Sequence, residues 1–460
     1  MQSMMRFLPA VLFVHAALLY AQPNAELTRQ LDQKISSALA ASGAPSVSVA
    51  VVQNDRVVYA KAFGKADIEK ARAADAATRY AVGSISKQFT AAAILLLQEQ
   101  GKLSLDDKVG KYFPDLTRAN EVTIRELLSH TSGYEDYAPQ DYIIPEWTKP
   151  TTPQEIMNHW GRKPLNFDPG TRWQYSNTNY VIAGEIFEKA SGQSLLAFLR
   201  EKIFGPLGMT SAADISDHLP QDATAYTRYA LGPPRPVERE GPGWYFAAGE
   251  LAMTPSDLAR WDIAFLEKRI LSPRSYQEFT REVKLKDGKD THYALGLSIG
   301  EMNGIPMVSH GGEVSGFLAS NTVFPTKDAS ISICSNEDGI SFIGPLSREI
   351  ADVLLGTAKG SEAEISQVRG ILEGLQQGRI DRSLFTANAN SYFNDVAMRD
   401  YQTSLAGLGK LLNVSKTGEQ LRGGMTHRSY RAQFEKKTVL LNIYVMPDGK
   451  YEQFLVMDTL

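Results

Sequence analysis

The chain carries a single cysteine, Cys334, and that scarcity removes two classes of protein at the outset. No disulfide can close within it, and no set of thiolates can hold a zinc ion or an iron–sulfur cluster. Cys334 follows Ile331 and Ile333 in an apolar run, so it reads as a buried structural thiol. A basic excess is missing too: 48 Lys and Arg stand against 52 Asp and Glu, a net charge of -4, which disfavours nucleic acid and anionic membrane surfaces as partners. His-Glu-x-x-His and comparable ligand spacings are absent, and neither a metal nor another cofactor is implied. With no fixed-period repeat and no low-complexity tract, solenoid and fibrous architectures fall away as well.

What is present is ordinary for a globular protein: 43% hydrophobic and 22% charged residues over 460 positions, enough for roughly two or three structural units. Arg6, the apolar residues 7–20 and the small Ala21 have the make-up of a signal peptide over residues 1–21, so export to the periplasm or the exterior is expected. That stretch falls short of the ~20 residues a bilayer span needs, so no stable membrane span is expected in the mature protein.

Leu27, Leu31, Ile35 and Leu39 recur every fourth residue and predict one helix face, broken by Gly43 and Pro45. Residues 46–52 and 57–63 predict a hairpin across Asn54-Asp55, and residues 84–99 a long apolar helix ending before Gly101. Thr152-Pro153 with Glu155, and Thr254-Pro255 with Asp257, read as helix starts. Strands are expected at 293–299, 317–324 and 329–334, then a helix at 342–355. Strands from both ends of one domain can meet in one sheet, which gives an α/β domain over residues 22–357. After the small-residue junction 356–360, a helix at 365–375 and alternating segments about Pro447-Asp448-Gly449 indicate an accessory α+β domain over residues 361–460, with no partner indicated.

The chemistry concentrates in a few short stretches. Ser84 and Lys87 lie three residues apart, a spacing that puts hydroxyl and amine on one helical face. A serine hydroxyl needs a base to become a nucleophile, and a desolvated lysine can serve. Gly83 permits close backbone approach, and the helix start offers free N–H groups to an oxyanion. Ser84 is the only serine followed by Lys at the third position, but about one such pair is expected by chance, so it gains weight only from its company. Tyr175-Ser176-Asn177 supplies a phenol for proton transfer, partly as phenolate near a lysine, and an amide to orient a carbonyl. Tyr392-Phe393-Asn394 repeats the pattern, and only its place in the tail counts against it. Three stretches compete for the third element: Lys416-Thr417-Gly418, His310-Gly311-Gly312 and His159-Trp160-Gly161. An oxyanion site needs a rigid strand backbone beside Ser84, which favours His310 and leaves Lys416 as a surface turn.

Ser84-Ile85-Ser86-Lys87 within residues 80–90, His130-Thr131-Ser132-Gly133, Tyr175-Ser176-Asn177, Ala248-Gly249-Glu250-Leu251 and His310-Gly311-Gly312 stand in an order that resembles the β-lactamase-related serine hydrolases. That group includes class C β-lactamases, D,D-carboxypeptidases, D-aminopeptidases and β-lactamase-like esterases, and the resemblance covers about residues 25–355. It implies a β-lactamase-like fold, with a central antiparallel sheet flanked by helices, a helical subdomain and the site between them. It also implies Ser84 as nucleophile, Lys87 and Tyr175 sharing base and acid work, and Asn177 touching substrate. The N–H groups of Ser84 and Glu313 would form the oxyanion hole, with Gly311 and Gly312 beside substrate. His130 matches a structural motif, not a triad histidine. His310 replaces the lysine that class C β-lactamases carry, which counts against β-lactams and leaves acyl transfer from esters or D-amino-acid amides and peptides. The expected partner is thus a small-molecule or peptide acyl donor. A penicillin-binding sensor without turnover and a catalytically silent scaffold are the competing readings.

Overall fold

The computed structural model describes residues 24–140, 142–230, 232–340, 342–355 and 362–458. The expected signal peptide at 1–21 and the junction at 356–360 lie outside the described residues.

Helix α1 (Ala25–Ser42) forms on the expected four-residue stripe; Asn24 caps its start and Gly43, at φ +68°, ends it. The chain then turns into strands β1 (Ser46–Gln53) and β2 (Arg56–Asp67). Asn54 and Asp55 both have positive φ, at 52° and 58°, the signature of a tight two-residue hairpin whose twist matches its strands. A short β3 (Arg72–Ala73) follows, and the other strands of its sheet come some 220 residues later: β4 (Ser298–Met302), β5 (Ile305–Val314), β6 (Phe317–Phe324) and β7 (Ala329–Ser335). Among the described residues these make one antiparallel sheet in the order β3-β2-β1-β7-β6-β5-β4. The two ends of the domain therefore meet at the β1–β7 pair, as expected.

Both sheet faces are covered, so β1 is buried from Ser46 to Val52 rather than alternately buried and exposed. Val47, Val49 and Val51 pack with Leu31 and Ile35 of α1 and with Ile350 of α5 (Ile343–Leu355), while Ala50 and Val52 meet Ala259 of α4 (Pro255–Leu266). Each such aliphatic side chain contributes ~2 kcal/mol on burial, so tertiary packing, not intrinsic propensity, holds these helices. Cys334 is fully buried in β7, and burial pushes its thiol well above the ordinary range. The other helices bearing on the site are α2 (Ser86–Glu99) and α3 (Asn177–Ser191).

Two expectations are corrected. Residues 293–297 are not a strand: His292 at φ +54° and Gly296 at φ +73° bend the chain, and a Cβ at Gly296 would stand 2.8 Å from the Lys87 carbonyl oxygen. Tyr293, Ala294, Leu295 and Leu297 are apolar because this bend is pressed into the core, a burial that periodicity alone does not separate from a strand. Lys416 is not a surface turn either. It sits in β8 (Leu411–Arg422) at a register shift, 8% exposed, with Nζ 3.1 Å from Glu364 and 2.5 Å from Glu419. Paired carboxylates let a lysine face inward, so its charge misled.

The tail carries helices α6 (Glu362–Gln376), α7 (Ala387–Tyr392) and α8 (Asp395–Ala406), then β8 with β9 (Met425–Phe434), β10 (Thr438–Val445) and β11 (Tyr451–Asp458) in one four-stranded antiparallel sheet. Val368, Leu372, Tyr430, Leu441 and Ile443 belong to an apolar core made of tail residues alone. No described helix is long and apolar enough to cross a membrane.

Candidate active site

Ser84 lies on a single 3-10 turn, Gly83–Ile85, which leads directly into α2, and Lys87 follows one turn later. Gly83 has φ +50°, and a Cβ there would stand 2.8 Å from the Glu313 nitrogen, so only glycine lets the turn lie against β5. The Lys87 side chain is wholly buried, its Nζ 2.9 Å from Ser84 Oγ, 2.8 Å from Asn177 Oδ1 and 2.7 Å from the Ala248 carbonyl oxygen. Burial pushes its pKa down to about 7, against the opposing pull of Asp136. A neutral amine has two hydrogens. Given to Asn177 and Ala248, they leave the lone pair directed at Ser84 Oγ, which is the geometry of a base.

Tyr175 brings its phenol within hydrogen-bonding reach of the Ser84 side chain, and its ring centroid is 5.0 Å from Lys87 Nζ. Burial holds this phenol well above its ordinary range, so the neutral form is resident and the expected phenolate is not. Asn177 opens α3. No side chain of its own segment caps that helix; Asp136, from a loop 41 residues earlier, accepts the Asn177 backbone N–H at 2.9 Å and stands 3.4 Å from its amide nitrogen.

Strand β5 supplies the opposite wall. His310 is buried; the Tyr293 hydroxyl donates to its Nε2 at 2.7 Å, and its Nδ1–H donates to the Gly311 carbonyl at 2.5 Å. Burial, then Lys87, pushes its pKa down to about 4, so the ring is neutral with both nitrogens engaged. It lines the wall with no ring donor left over for substrate. Gly312 is packed so closely that a Cβ would lie 1.9 Å from the Val82 carbonyl oxygen and 3.4 Å from the Ser84 nitrogen. That contact brings the backbone at Glu313 alongside the Ser84 turn, where two N–H groups can receive one oxyanion. Gly312→Ala must push strand and turn apart. Ester kcat/KM is expected to fall about a hundredfold, as for a misplacement near 1 Å, and unchanged kcat/KM would show that this backbone does not shape the site.

Ser84, Tyr175, Asn177 and residues 310–315 line a cleft of about 870 Å3. Tyr137, Trp147, Trp244 and Tyr245 make one aromatic side of it. Asp136, Glu240, Glu313 and Asp338 line it as well, and no Lys or Arg does among the described residues.

The structure thus brings together Ser84, Lys87, Tyr175, Asn177 and the 310–313 stretch, and sets Lys416 in the tail sheet, Tyr392 on α7 and His159 on the helix Pro153–Trp160. Sequence reasoning missed Asp136, Tyr293 and the Ala248 carbonyl. Ala248-Gly249-Glu250-Leu251 was visible as a motif; its use is structural, since Ala248 receives Lys87, Ala247 receives the Thr90 hydroxyl at 2.7 Å, and the Leu251 N–H meets Ser86 Oγ at 3.1 Å.

An antiparallel sheet covered by helices, with a lysine-served serine at the foot of a cleft, defines the scaffold of a serine hydrolase. The match to the family described as Beta-lactamase runs over residues 31–354, and the chain belongs to that family. A penicillin-binding protein of Bacillus subtilis is 31% identical over 54% of this chain and 58% of its own length, and a D-aminopeptidase of Brucella anthropi is 30% identical over 59% and 52%. The chain therefore spans little more than half the length of these relatives. Among solved structures, a D-stereospecific amidohydrolase from a Streptomyces species is similar at 26% identity, with a TM-score of 0.61 over 71% of this chain and 98% of that one.

Proposed function

We propose that this protein is an exported serine hydrolase that forms an acyl-enzyme on Ser84 and releases it to water, acting on short esters and D-amino-acid amides or peptides in preference to β-lactams. The observation that carries this is the wholly buried Lys87, with a pKa near 7 and its Nζ 2.9 Å from Ser84 Oγ at the foot of the cleft. Lys87 takes the Ser84 proton as Oγ attacks the acyl carbon, and the N–H groups of Ser84 and Glu313 receive the oxyanion. The neutral Tyr175 phenol donates a proton to the leaving amine or alkoxide as the bond breaks, and regains one from Lys87. Asn177 orients the acyl group. Water repeats the sequence in reverse roles and restores Ser84. Residues 1–21 support export.

The cleft lining supports the substrate preference. A lining that carries four carboxyl groups, and no Lys or Arg among the described residues, disfavours the carboxylate of a β-lactam and favours an amine-bearing acyl group, and the neutral His310 offers no cation in compensation. The names of the D-aminopeptidase and amidohydrolase relatives support the same direction.

The test is a panel of chromogenic esters, D-amino-acid anilides and a chromogenic cephalosporin on the mature protein. Ester or anilide kcat/KM should exceed that of the cephalosporin by at least about tenfold, the worth of one misplaced charge contact. Lys416→Ala should leave all values unchanged. Cephalosporin turnover above every ester and amide would reverse the preference, and a stable adduct without turnover would make the protein a sensor.

A further inference from the structure

The steps above leave the loop His130-Thr131-Ser132-Gly133 unused, although it grips the catalytic tyrosine's segment at several points. The His130 carbonyl accepts the Gln174 N–H at 3.0 Å, and its ring Nδ1 accepts the Ser176 N–H at 3.2 Å. These two amides flank Tyr175. The imidazole also lies against the Tyr175 ring, with centroids 4.2 Å apart and planes at 38°. Ser132 Oγ reaches Asn179 on α3 at 2.5 Å, and the Thr131 and Gly133 carbonyls accept the Gly170 and Asn166 N–H groups at 2.8 Å, so the loop runs along the whole approach to Tyr175.

His130 itself is fully buried and stands at φ +59°, a left-handed backbone that costs a non-glycine residue on the order of 1 kcal/mol and persists only where its surroundings demand it. Its Nδ1 is an acceptor, so the neutral ring carries its proton on Nε2. That nitrogen meets no polar partner and is enclosed by the rings of Tyr175, Tyr180, Tyr293 and Trp173. Burial, then Lys87 and His310, hold its pKa well below 6.5, so the acceptor survives wherever Lys87 can act as a base.

We propose that His130 is the positioning residue of Tyr175: by holding the amides on either side and backing the ring, it fixes the phenol hydroxyl against Ser84. The proposal rests on the reading of Tyr175 as the proton donor. A surface or folding role would make loss of His130 felt whatever stands at 175, whereas a positioning role is felt only while a hydroxyl is there to be positioned.

His130→Phe keeps an aromatic ring and loses the acceptor; His130→Asn keeps an acceptor and tolerates the left-handed backbone. Ester kcat is expected to fall about tenfold to a hundredfold in His130→Phe with KM within about twofold, and His130→Asn should recover most of it. In a Tyr175→Phe background, His130→Phe should cost less than about twofold more, because residues acting as a unit are not additive. Full-rate His130→Phe, or an undiminished loss in the Tyr175→Phe background, overturns the proposal. Tyr175→Phe alone reports on the underlying reading: if it acylates at the normal rate, the tyrosine is not the donor and that reading fails separately. Should the His130 variants not fold, ring 15N shifts of His130 in the unmodified protein decide. A neutral ring with bare Nδ1 across the active pH range is expected, and a protonated Nδ1 overturns the proposal.

Discussion

Ser84→Ala is expected to remove both turnover and covalent labelling: ester hydrolysis should fall by about four to six orders of magnitude, and a fluorophosphonate should no longer add to the protein. Three other serines lie close by, and their surroundings disqualify them. Ser86 Oγ is buried and accepts the Leu251 N–H at 3.1 Å. Ser315 lines the same cleft, but it gives its hydroxyl proton to Glu240 at 2.7 Å, and a carboxylate that is already hydrogen-bonded there is a far weaker base than a neutral amine. Ser176 is buried, and its hydroxyl meets no partner that could activate it. Among the described residues only Ser84 has an amine at 2.9 Å and a backbone from β5 pressed against its own turn. Mass-spectrometric mapping of the adduct checks this directly. Persistent labelling of the Ser84→Ala protein at another serine would move the nucleophile.

How much of this site is legible in the sequence follows from how local each contact is. Ser84 and Lys87 are three residues apart on one helix start, so their contact is fixed by helical geometry and needs no fold to be inferred. The Asn54-Asp55 hairpin and the Thr152–Glu155 capping box are equally local, and both form. The partners that tune Lys87 are not. Asn177 reaches it across 90 residues and the Ala248 oxygen across 161, and a backbone carbonyl leaves no mark on residue type at all. Asp136 sits in a loop with no periodicity, and its use as a helix cap for α3 appears only once the two segments are adjacent. Strand β5 escapes because His310-Gly311-Gly312 has little β propensity. It becomes a strand through pairing with β6, where Gly312 faces Ala319 and Glu313 faces Leu318, and its glycines are there for the approach to Ser84. The acidic lining of the cleft is invisible for the same reason, being assembled from Asp136, Glu240, Glu313 and Asp338 on separate segments.

Lys87→Ala is expected to lower ester kcat/KM by about a hundredfold to ten-thousandfold, and with it to erase the acid limb of the pH profile. In the unmodified protein that limb should lie near pH 7, because burial has brought the ammonium down to about 7. The sign is that of a base. Below pH 7 Lys87 holds its third proton and cannot accept one from Ser84, so activity falls about tenfold per pH unit; above it the lone pair is free and activity reaches a plateau. Neither histidine can imitate this, since His310 sits at about 4 and His130 well below 6.5. Two other buried carboxyls can: burial pushes Glu250 up to about 8 and Asp262 up to about 7, and Asn321 links Asp262 to Gln88 on α2, at 2.9 Å and 3.0 Å. Asp262→Asn and Glu250→Gln separate them from Lys87. Each removes one carboxyl titration, and Asp262→Asn leaves an oxygen to accept from Asn321 and Ser332, so a limb that stays near pH 7 in both variants belongs to Lys87. Lys87→Arg completes the set, because a guanidinium keeps its proton throughout and should be inactive at every pH tested. A limb that moves with Asp262→Asn or Glu250→Gln, or a Lys87→Arg protein that acylates normally, would take the base out of Lys87 and place it elsewhere.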